Sequence, residues 1–277
     1  MKLGRRDGAR TEYETARDLF KTLAASSPAV PKYQQELAST HINLGNLLMA
    51  LGQRDAARPE FETARDLFQK LVAAFPGVPQ YQVELGGCYR NIGYLVRDDG
   101  QPADSLHWFD LAIRTLTPVY EQDRRAVTAK EYLHKSHAYR AVAYDRLRKH
   151  AEAVKDWDKA VELSPGPEQA SYRAGRATSR VQAGETAEAV AEVAELTKAS
   201  EWSAVQWYAF ACVYAVTSAR IAAQKQAYAD RALGLLRQAV KAGYTNAASW
   251  PRTPTSTRSA SARTFRSCSR SCKSERN

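Results

Sequence analysis

The chain has few of the features that disulfide-rich, secreted or membrane-spanning proteins need. Its 277 residues include only four cysteines: Cys88 and Cys212 fit small buried positions in helices, and Cys268 and Cys272 have no further His or Cys partners spaced to complete a zinc site. The longest apolar run, Trp207–Val216, has ten residues, whereas a helix that crosses a bilayer needs about 20. The N-terminal MKLGRRDG contains no apolar segment of a secretory signal. These absences favour a protein of the reducing cytoplasm without a membrane partner.

The sequence also lacks the motifs of common catalytic sites. It contains no phosphate-binding loop, no nucleophile motif and no zinc-hydrolase helix motif. His134 and His137 are three residues apart, a spacing that allows two metal ligands, but no third ligand is evident; a partly buried pair of ordinary histidines is the other interpretation. Asp98 and Asp99 fit a solvated helix turn. The sequence therefore predicts a protein that is not an enzyme and needs no metal or cofactor.

The net charge of +10 is concentrated near the C-terminus. Residues 246–277 contain seven Lys/Arg and one Glu, so this tail alone contributes +6. The other 245 residues contain 33 basic and 29 acidic side chains, a balance of +4. Interspersed signs on a nearly neutral body are typical of a solvated surface. Nucleic acid is therefore not predicted as a partner of the folded body.

The most informative pattern is an internal repeat. Residues 1–47 align with residues 49–95 at a constant offset of 48, and 27 of the 47 positions are identical. Self-similarity at a period of a few tens of residues is typical of repeat proteins, in which each unit buries its apolar face against its neighbours. Such a stack provides a long surface for binding.

The repeated units have the pattern of helix pairs. Ala, Leu, Glu, Arg and Gln dominate, and turn residues occur only in short clusters. From residue 41, an apolar helix is followed by a glycine turn and by a second helix with small and aromatic residues at helical spacing. This pattern resembles the tetratricopeptide repeat (TPR). The positions predicted to pack these helices together are Gly45, Ala57, Phe61, Gly93, Phe109, Ala141, Ala153, Trp157 and Ala160.

The resemblance implies an all-α fold, an α-α solenoid of TPR-like helical hairpins. Small residues are expected where the two helices of a hairpin approach closely, and the large rings are expected to fill the groove toward the following pair. Because the 48-residue offset exceeds the usual TPR length of about 34 residues, we expect longer helices, near Arg58–Ala74 and Pro79–Val96.

Three segments are predicted. Residues 1–30 form the orphan second helix of a truncated repeat, where Leu19 and Leu23 are expected to lack part of their cover. Residues 31–245 form the TPR-like α-solenoid, with about five helix pairs. Residues 246–277 form a disordered basic tail, because they are rich in Ser, Arg and Thr and have almost no large aliphatic residues.

Two narrower interpretations accompany these segments. The tail is also compatible with an out-of-frame end, since permitted codons from Trp250 onward, read one nucleotide earlier, can encode an acidic turn and an amphipathic helix. Stretches such as HAEAVKDWDKAVELSPGPEQ look like the repeat-bearing C-terminal arms of bacterial Hanks-type serine/threonine protein kinases. The kinase motifs themselves are missing from the chain, so this resemblance implies an arm without its enzyme.

The TPR resemblance places a peptide-binding surface on the concave face, which the first helix of each pair lines. One TPR subclass clamps a C-terminal carboxylate, and Asn46, Asn91 and Lys135 match three of its ligand positions. Ile42 and Tyr139 stand where that clamp has Lys and Arg. Arg97 is predicted on the same polar face. The alternative is that these side chains are only solvated. The candidate peptide-binding residues are Asn46, Arg90, Asn91, Tyr94, Lys135 and Tyr139.

Two further clusters each allow two interpretations. Arg173, Arg176 and Arg180 share one helical stripe, which either faces solvent or contacts an acidic partner. Five aromatic residues fit a hydrophobic core or, as the alternative, a ligand pocket. They are Trp202, Trp207, Tyr208, Phe210 and Tyr214.

These patterns predict a non-catalytic protein-protein interaction scaffold that binds a peptide or partner domain on its concave face. The alternative is a regulatory or substrate-docking arm of a serine/threonine protein kinase, separated from its catalytic domain.

Overall fold

The computed structural model describes residues 2–164, 166–198 and 201–244. The predicted tail, residues 246–277, lies outside these ranges. Within them the chain forms α-helices and one short 3₁₀ helix and contains no strand, so the all-α prediction is confirmed. The helices are α1 (Lys2–Ser26), α2 (Pro31–Ala50), α3 (Arg54–Ala74), α4 (Pro79–Asp98), α5 (Pro102–Gln122), α6 (Val127–Arg146), α7 (His150–Leu163), α8 (Gly166–Ala183), α9 (Thr186–Leu196), α10 (Ala204–Arg220) and α11 (Lys225–Lys241).

The chain divides into two compact units, Met1–Leu147 and Arg148–Asn277, each of which is described by itself. Unit 1 contains α1–α6 and unit 2 contains α7–α11. In unit 1 each helix packs against the next one along the chain, and α4 also packs against α6. In unit 2, α8 packs against α7, α9 and α10, and α10 also packs against α11. Consecutive helical hairpins of this kind confirm the predicted α-solenoid class.

Glycine turns separate the helices of the first two hairpins. Gly52 follows α2 with φ +75°, and Gly100 follows α4 with φ +87°. A side chain is strained in this left-handed conformation, so glycine is favoured directly after a helix end. The two turns are 48 positions apart, which is the offset of the sequence repeat.

Close approach of helices explains the glycines inside α2 and α4. A Cβ atom on Gly45 would lie 2.7 Å from the Phe61 ring, and one on Gly93 would lie 2.8 Å from the Phe109 ring. The sequence pattern assigned these rings to the groove toward the following pair. Phe61 does share a buried cluster with α4 residues such as Ile92, and the ring also covers the glycine of its own hairpin.

The predicted packing residues are all buried in the structure. Three of them have large aromatic rings. One of these rings, Trp157, lies over Gly175 of α8 rather than over a glycine of the preceding helix. Its Nε1–H donates a hydrogen bond to Ser179 Oγ at 3.0 Å. The buried set is Gly45, Ala57, Phe61, Gly93, Phe109, Ala141, Ala153, Trp157 and Ala160.

The aromatic cluster of unit 2 is part of its core. Trp207, Tyr208, Phe210 and Tyr214 are buried in one apolar cluster formed by α8–α11, and Trp202 packs against it. Trp202 and Trp207 each meet the Phe210 ring edge to face, an arrangement that aromatic pairs favour. The core interpretation of these residues therefore agrees with their burial.

The arginine stripe of α8 does not face solvent freely. Arg173, Arg176 and Arg180 all contact the carboxylate of Glu192 on α9, at 3.0, 2.5 and 3.3 Å. Arg176 also contacts Asp158 of α7 at 2.8 Å. The interpretation of the stripe as solvent-facing is therefore wrong: these guanidinium groups join α7, α8 and α9 within unit 2.

In the part of the chain that the structure describes, no helix combines the length and apolar character that crossing a bilayer requires.

Candidate functional site

Five of the six candidate binding residues line one cleft in unit 1. The cleft has a volume of about 240 Å³, and α2, α3, α4 and α6 contribute to it. Helical periodicity places the contributing side chains on one face of each helix. The lining residues are Asn46, Met49, Phe61, Arg90, Asn91, Tyr94 and Tyr139.

The sixth candidate is placed elsewhere. Lys135 is not among the residues that line the cleft, and its Nζ contacts Glu131 Oε1, one helical turn away, at 2.5 Å. The hydrogen bond with Lys135, followed by smaller effects of other charges, lowers the pKa of Glu131 although burial opposes the shift. Lys135 is therefore occupied by a neighbour on its own helix.

A chain of polar contacts forms one edge of the cleft. Asn91 Nδ2 donates to Asn46 Oδ1 at 3.4 Å, and this contact joins α4 to α2. Arg90 donates from Nη2 and Nε to Asn91 Oδ1 at 2.9 and 3.3 Å. The Arg90 guanidinium also lies 4.2 Å from the ring centre of Tyr132 on α6. These contacts orient the amide and guanidinium groups before any ligand arrives.

Two tyrosine rings form a second part of the lining, the tyrosine wall. The ring centres of Tyr94 and Tyr139 are 5.3 Å apart, and Tyr139 also lies 6.2 Å from Phe109. Arg97 stacks on both tyrosines, at 4.8 and 5.3 Å from their ring centres. Burial, followed by the charge of Asp98, raises the pKa of Tyr94, so the phenol stays neutral near pH 7.

Arg97 was predicted on the polar concave face together with the candidate peptide-binding residues. This prediction is wrong, because the side chain of Arg97 is buried. Burial of an arginine requires a partner, and Asp98 provides one: Arg97 Nη2 lies 2.9 Å from Asp98 Oδ1. Arg146 of α6 and Arg54 of α3 contact the same carboxylate at 2.9 and 3.5 Å. Arg146 Nη1 also donates to the Arg97 carbonyl oxygen at 2.6 Å.

Asp98 is therefore not the solvated turn residue that the sequence predicted, whereas Asp99 is exposed. The Asp98 side chain is only 13% exposed. Burial alone raises the pKa of an aspartate, but hydrogen bonds and charges from Arg97 and Arg146 outweigh it and lower the pKa of Asp98. This carboxylate joins three helices behind the tyrosine wall of the cleft.

The carboxylate clamp suggested by the resemblance is incomplete in the structure. Asn46 and Asn91 lie together in the cleft, but Lys135 is not part of its lining. Ile42 packs against apolar clusters of unit 1. Met49 was not predicted as a site residue, because an apolar side chain in a helix indicates a position in the hydrophobic core. Together with Phe61, it forms the apolar part of the cleft lining besides the tyrosine rings.

The cleft is suited to recognition. It offers amide and guanidinium groups on one edge and aromatic and thioether surfaces on the other, which is a common composition of binding pockets. Among the described residues, no group of three or more His, Cys, Asp or Glu side chains is arranged to hold a metal ion. His134 and His137 are both buried in α6.

Unit 2 contains two further clefts. One, of about 420 Å³, lies between α8 and α10 and is lined mainly by small side chains such as Ala174 and Ala209. The other, of about 490 Å³, lies beside α11 and includes Trp207, Asp230 and Arg231. Neither contains a residue that the sequence predicted to bind a ligand through the concave face.

Comparison with known proteins agrees with this architecture. The family model described as tetratricopeptide repeat matches residues 38–69. No curated protein matches the chain. The crystal structure of BtubC (BKLC) from P. vanneervenii is 16% identical, with 91% of this chain and 96% of that chain covered and a TM-score of 0.58. YrrB, a TPR protein with an unusual peptide-binding site, is 15% identical, with 82% of this chain and 94% of that chain covered and a TM-score of 0.52.

At these identities the solved structures establish the fold alone. The family match covers the second half of α2 and most of α3, the hairpin in which Gly45 meets Phe61. The chain therefore has an all-α solenoid fold similar to that of solved TPR structures, and residues 38–69 within it match the tetratricopeptide repeat.

Proposed function

We propose that this chain is a non-catalytic interaction scaffold that binds a peptide or a partner segment in the cleft of unit 1. The observation that supports the proposal is the convergence of five candidate residues from α2, α4 and α6 on one cleft. First helices of consecutive TPR pairs line the binding face in the family that the sequence resembles. YrrB, which has the same fold, is a TPR protein with a peptide-binding site.

The side chains of the cleft define the ligand that fits it. Arg90 has five N–H donors, and two of them are directed to Asn91 Oδ1. A ligand carboxylate or backbone carbonyl would be bound by the remaining donors and by the amides of Asn46 and Asn91. Met49 and the tyrosine rings accept an apolar side chain. We propose an extended peptide with an acidic residue next to an apolar one.

The test is peptide selection on the full chain, followed by variants. A random peptide library displayed on phage is selected against the chain, and binding of the enriched peptides is measured by fluorescence anisotropy. Loss of a hydrogen bond to a charged group costs about 1.5–3 kcal/mol, so Arg90→Ala should weaken binding by tenfold or more. Asn91→Ala should weaken it as well. Arg125→Ala and Asn43→Ala change exposed residues of the same types and should leave binding unchanged.

Failure to select any peptide, or equal binding by the Arg90 and Arg125 variants, would exclude the cleft as the binding site. Enriched peptides without acidic residues would contradict the proposed ligand chemistry while leaving a scaffold role in place.

The kinase-arm alternative stays a prediction from the sequence. The family match and the solved structures support TPR architecture and protein binding in general, and no contact in the structure favours a kinase over another partner. The cytoplasmic location also stays a prediction. Nucleic-acid binding would rest on residues 246–277, which lie outside the described residues.

A further inference from the structure

The Arg90 guanidinium has one edge and one face already in use. Asn91 Oδ1 accepts hydrogen bonds from Arg90 Nε and Nη2, at 3.3 and 2.9 Å. These two nitrogens form one of the forks of N–H donors that a planar guanidinium presents. The ring of Tyr132 covers one face, with its centre 4.2 Å from the guanidinium carbon. Among the described residues none bonds to Nη1, so the second fork, formed by Nη1 and Nη2, remains for a ligand.

Tyr132 reaches Arg90 because a glycine faces its ring. A Cβ atom on Gly87 of α4 would lie 2.7 Å from the Tyr132 ring, which is too close for a real contact. Gly87 and Arg90 are three residues apart, so they lie on the same face of α4. The ring from α6 therefore lies against the α4 backbone, and the guanidinium stacks on that ring. Tyr132 itself is not among the residues that line the cleft.

The sequence repeat shows that the fold does not require this arrangement. The helices α2, α4 and α6 begin at intervals of 48 residues. The arrangement consists of Gly87, Arg90 and Tyr132. The residues one interval earlier are Ser39, Ile42 and Glu84. Because the earlier unit forms the same hairpin without a guanidinium on a ring, the packing of a repeat does not account for these three residues.

Two carboxylates lie within range of the charge of Arg90. Burial raises the pKa of Glu84, and the charge of Arg90 opposes this rise. The same charge contributes, after the hydrogen bond with Lys135, to the lowered pKa of Glu131. The stack on Tyr132 favours instead the orientation in which Arg90 bonds to Asn91 at the edge of the cleft. A side chain that is held in place before the ligand arrives loses less conformational entropy on binding.

We propose that Tyr132 is a positioning residue of the cleft: it holds Arg90 so that the Nη1/Nη2 fork receives a carboxylate side chain of the bound peptide. This inference rests on the proposed function and adds the residue that sets its selectivity. Two parallel N–H donors match the two oxygens of a carboxylate, whereas a side-chain amide has one oxygen and one NH₂ donor. Asp or Glu of the peptide is therefore preferred over Asn or Gln at that position.

The first test needs no ligand. The Nε–H signal of Arg90 is followed by heteronuclear NMR in the free chain and is assigned by its loss in Arg90→Lys. Stacking places this proton in the ring current of Tyr132, so its signal should lie upfield and should return toward the ordinary position in Tyr132→Leu. Tyr132→Phe keeps the ring and should keep the shift. The same Arg90 signal in the wild type and in Tyr132→Leu would overturn the proposal.

The second test compares a selected acidic peptide with the same peptide in which an amide replaces the acid. Loss of the cation–π contact should make Tyr132→Leu bind the acidic peptide about fivefold more weakly, and Tyr132→Phe should bind it as the wild type does. The amide peptide should bind equally to all three chains. Tyr33→Leu changes a partly buried tyrosine of α2 outside the cleft and should leave the binding of both peptides unchanged.

Thermal melting checks that the variants are folded. An equal loss of binding for the acidic and the amide peptide would assign Tyr132 to the fold alone and overturn the proposal. Equal weakening by Tyr132→Phe and Tyr132→Leu would overturn it as well, because the ring is present in one and absent from the other. Failure to select any peptide would overturn the proposed function, whereas the NMR test would still accept or reject the role of Tyr132 in holding Arg90.

Discussion

Replacement of Asp98 by Asn should destabilise unit 1 and disturb the cleft without changing side-chain shape. The Asp98 carboxylate contacts Arg97, Arg146 and Arg54 at 2.9, 2.9 and 3.5 Å. Asparagine keeps one acceptor oxygen but lacks the negative charge, so the buried Arg97 guanidinium loses its counter-ion.

The expected loss of stability depends on how deeply each arginine partner of Asp98 is buried. Removing one member of a buried ion pair costs about 3–5 kcal/mol, and the more exposed pairs with Arg54 and Arg146 add only about 0.2–1 kcal/mol each. Because Asn still accepts a hydrogen bond, we expect a loss of about 3 kcal/mol. With a urea dependence of about 2 kcal/mol per M, the unfolding midpoint should fall by about 1.5 M.

Hydrogen exchange measured by mass spectrometry localises the effect. Protection of α4 and of the C-terminal half of α6 should fall by about 100-fold if those helices open through the weakened unit. Asp99→Asn is the matched control, since Asp99 is the exposed neighbour. If the Asp98 and Asp99 variants unfold at the same urea concentration, the carboxylate does not support Arg97 and the reasoning is refuted.

The Asp98 carboxylate also predicts that the stability of unit 1 falls at acid pH. The folded-state pKa of Asp98 lies below its ordinary value of 3.8. Its contribution to the free energy of unfolding is therefore fully present above pH 3.8 and is lost as the pH falls through the folded-state pKa. Urea unfolding between pH 7 and pH 2.5 should show this loss in the wild-type chain and a smaller loss in Asp98→Asn. Equal acid sensitivity of the two would contradict the assignment.

Three further predictions concern buried or partly buried side chains. Trp157→Ala should remove about 3–5 kcal/mol from unit 2, and an unchanged thermal melt would contradict the packing described above. Glu192→Gln leaves three arginines without their shared counter-ion and should cost about 3–5 kcal/mol in urea unfolding, whereas the exposed Glu188→Gln should cost little. Burial raises the pKa of Cys88, and it raises that of Cys212 to about 11, so mass spectrometry should find both thiols slow to react with iodoacetamide at pH 8 until the chain is unfolded.

Much of the fold could be predicted because its signals are local and repeated. Glycine or alanine opposite a ring, at helical spacing and at an offset of 48, predicts both the hairpins and the buried positions. Five cleft residues could be predicted for the same reason: a helix has one period, so polar residues at matched positions of α2, α4 and α6 fall on matched faces. Lys135 lies outside the cleft lining, and the pattern of matched positions could not show that its side chain contacts Glu131 on the same helix.

The buried charges could not be predicted from local patterns, since their partners lie far along the chain. Arg54 and Arg146 both reach Asp98 from other helices. A signal was present in the repeat itself: Arg97 occupies the position of Met49, which is an inward-facing site in α2. Glu192 likewise lies in the apolar stripe of α9, between Ala189 and Val193.

The recurrence of Gly45 with Phe61 and of Gly93 with Phe109 has a consequence for how chains of this design can change in length. Because successive interfaces in this region have the same residue types at the same spacing, loss or gain of a whole 48-residue module leaves each surviving helix with a compatible neighbour. The cleft tolerates loss or gain of a module less well, because the first helices of three successive pairs line it and these helices have different polar side chains. Copy number can therefore vary at small cost to folding, whereas ligand choice depends on the order of the modules.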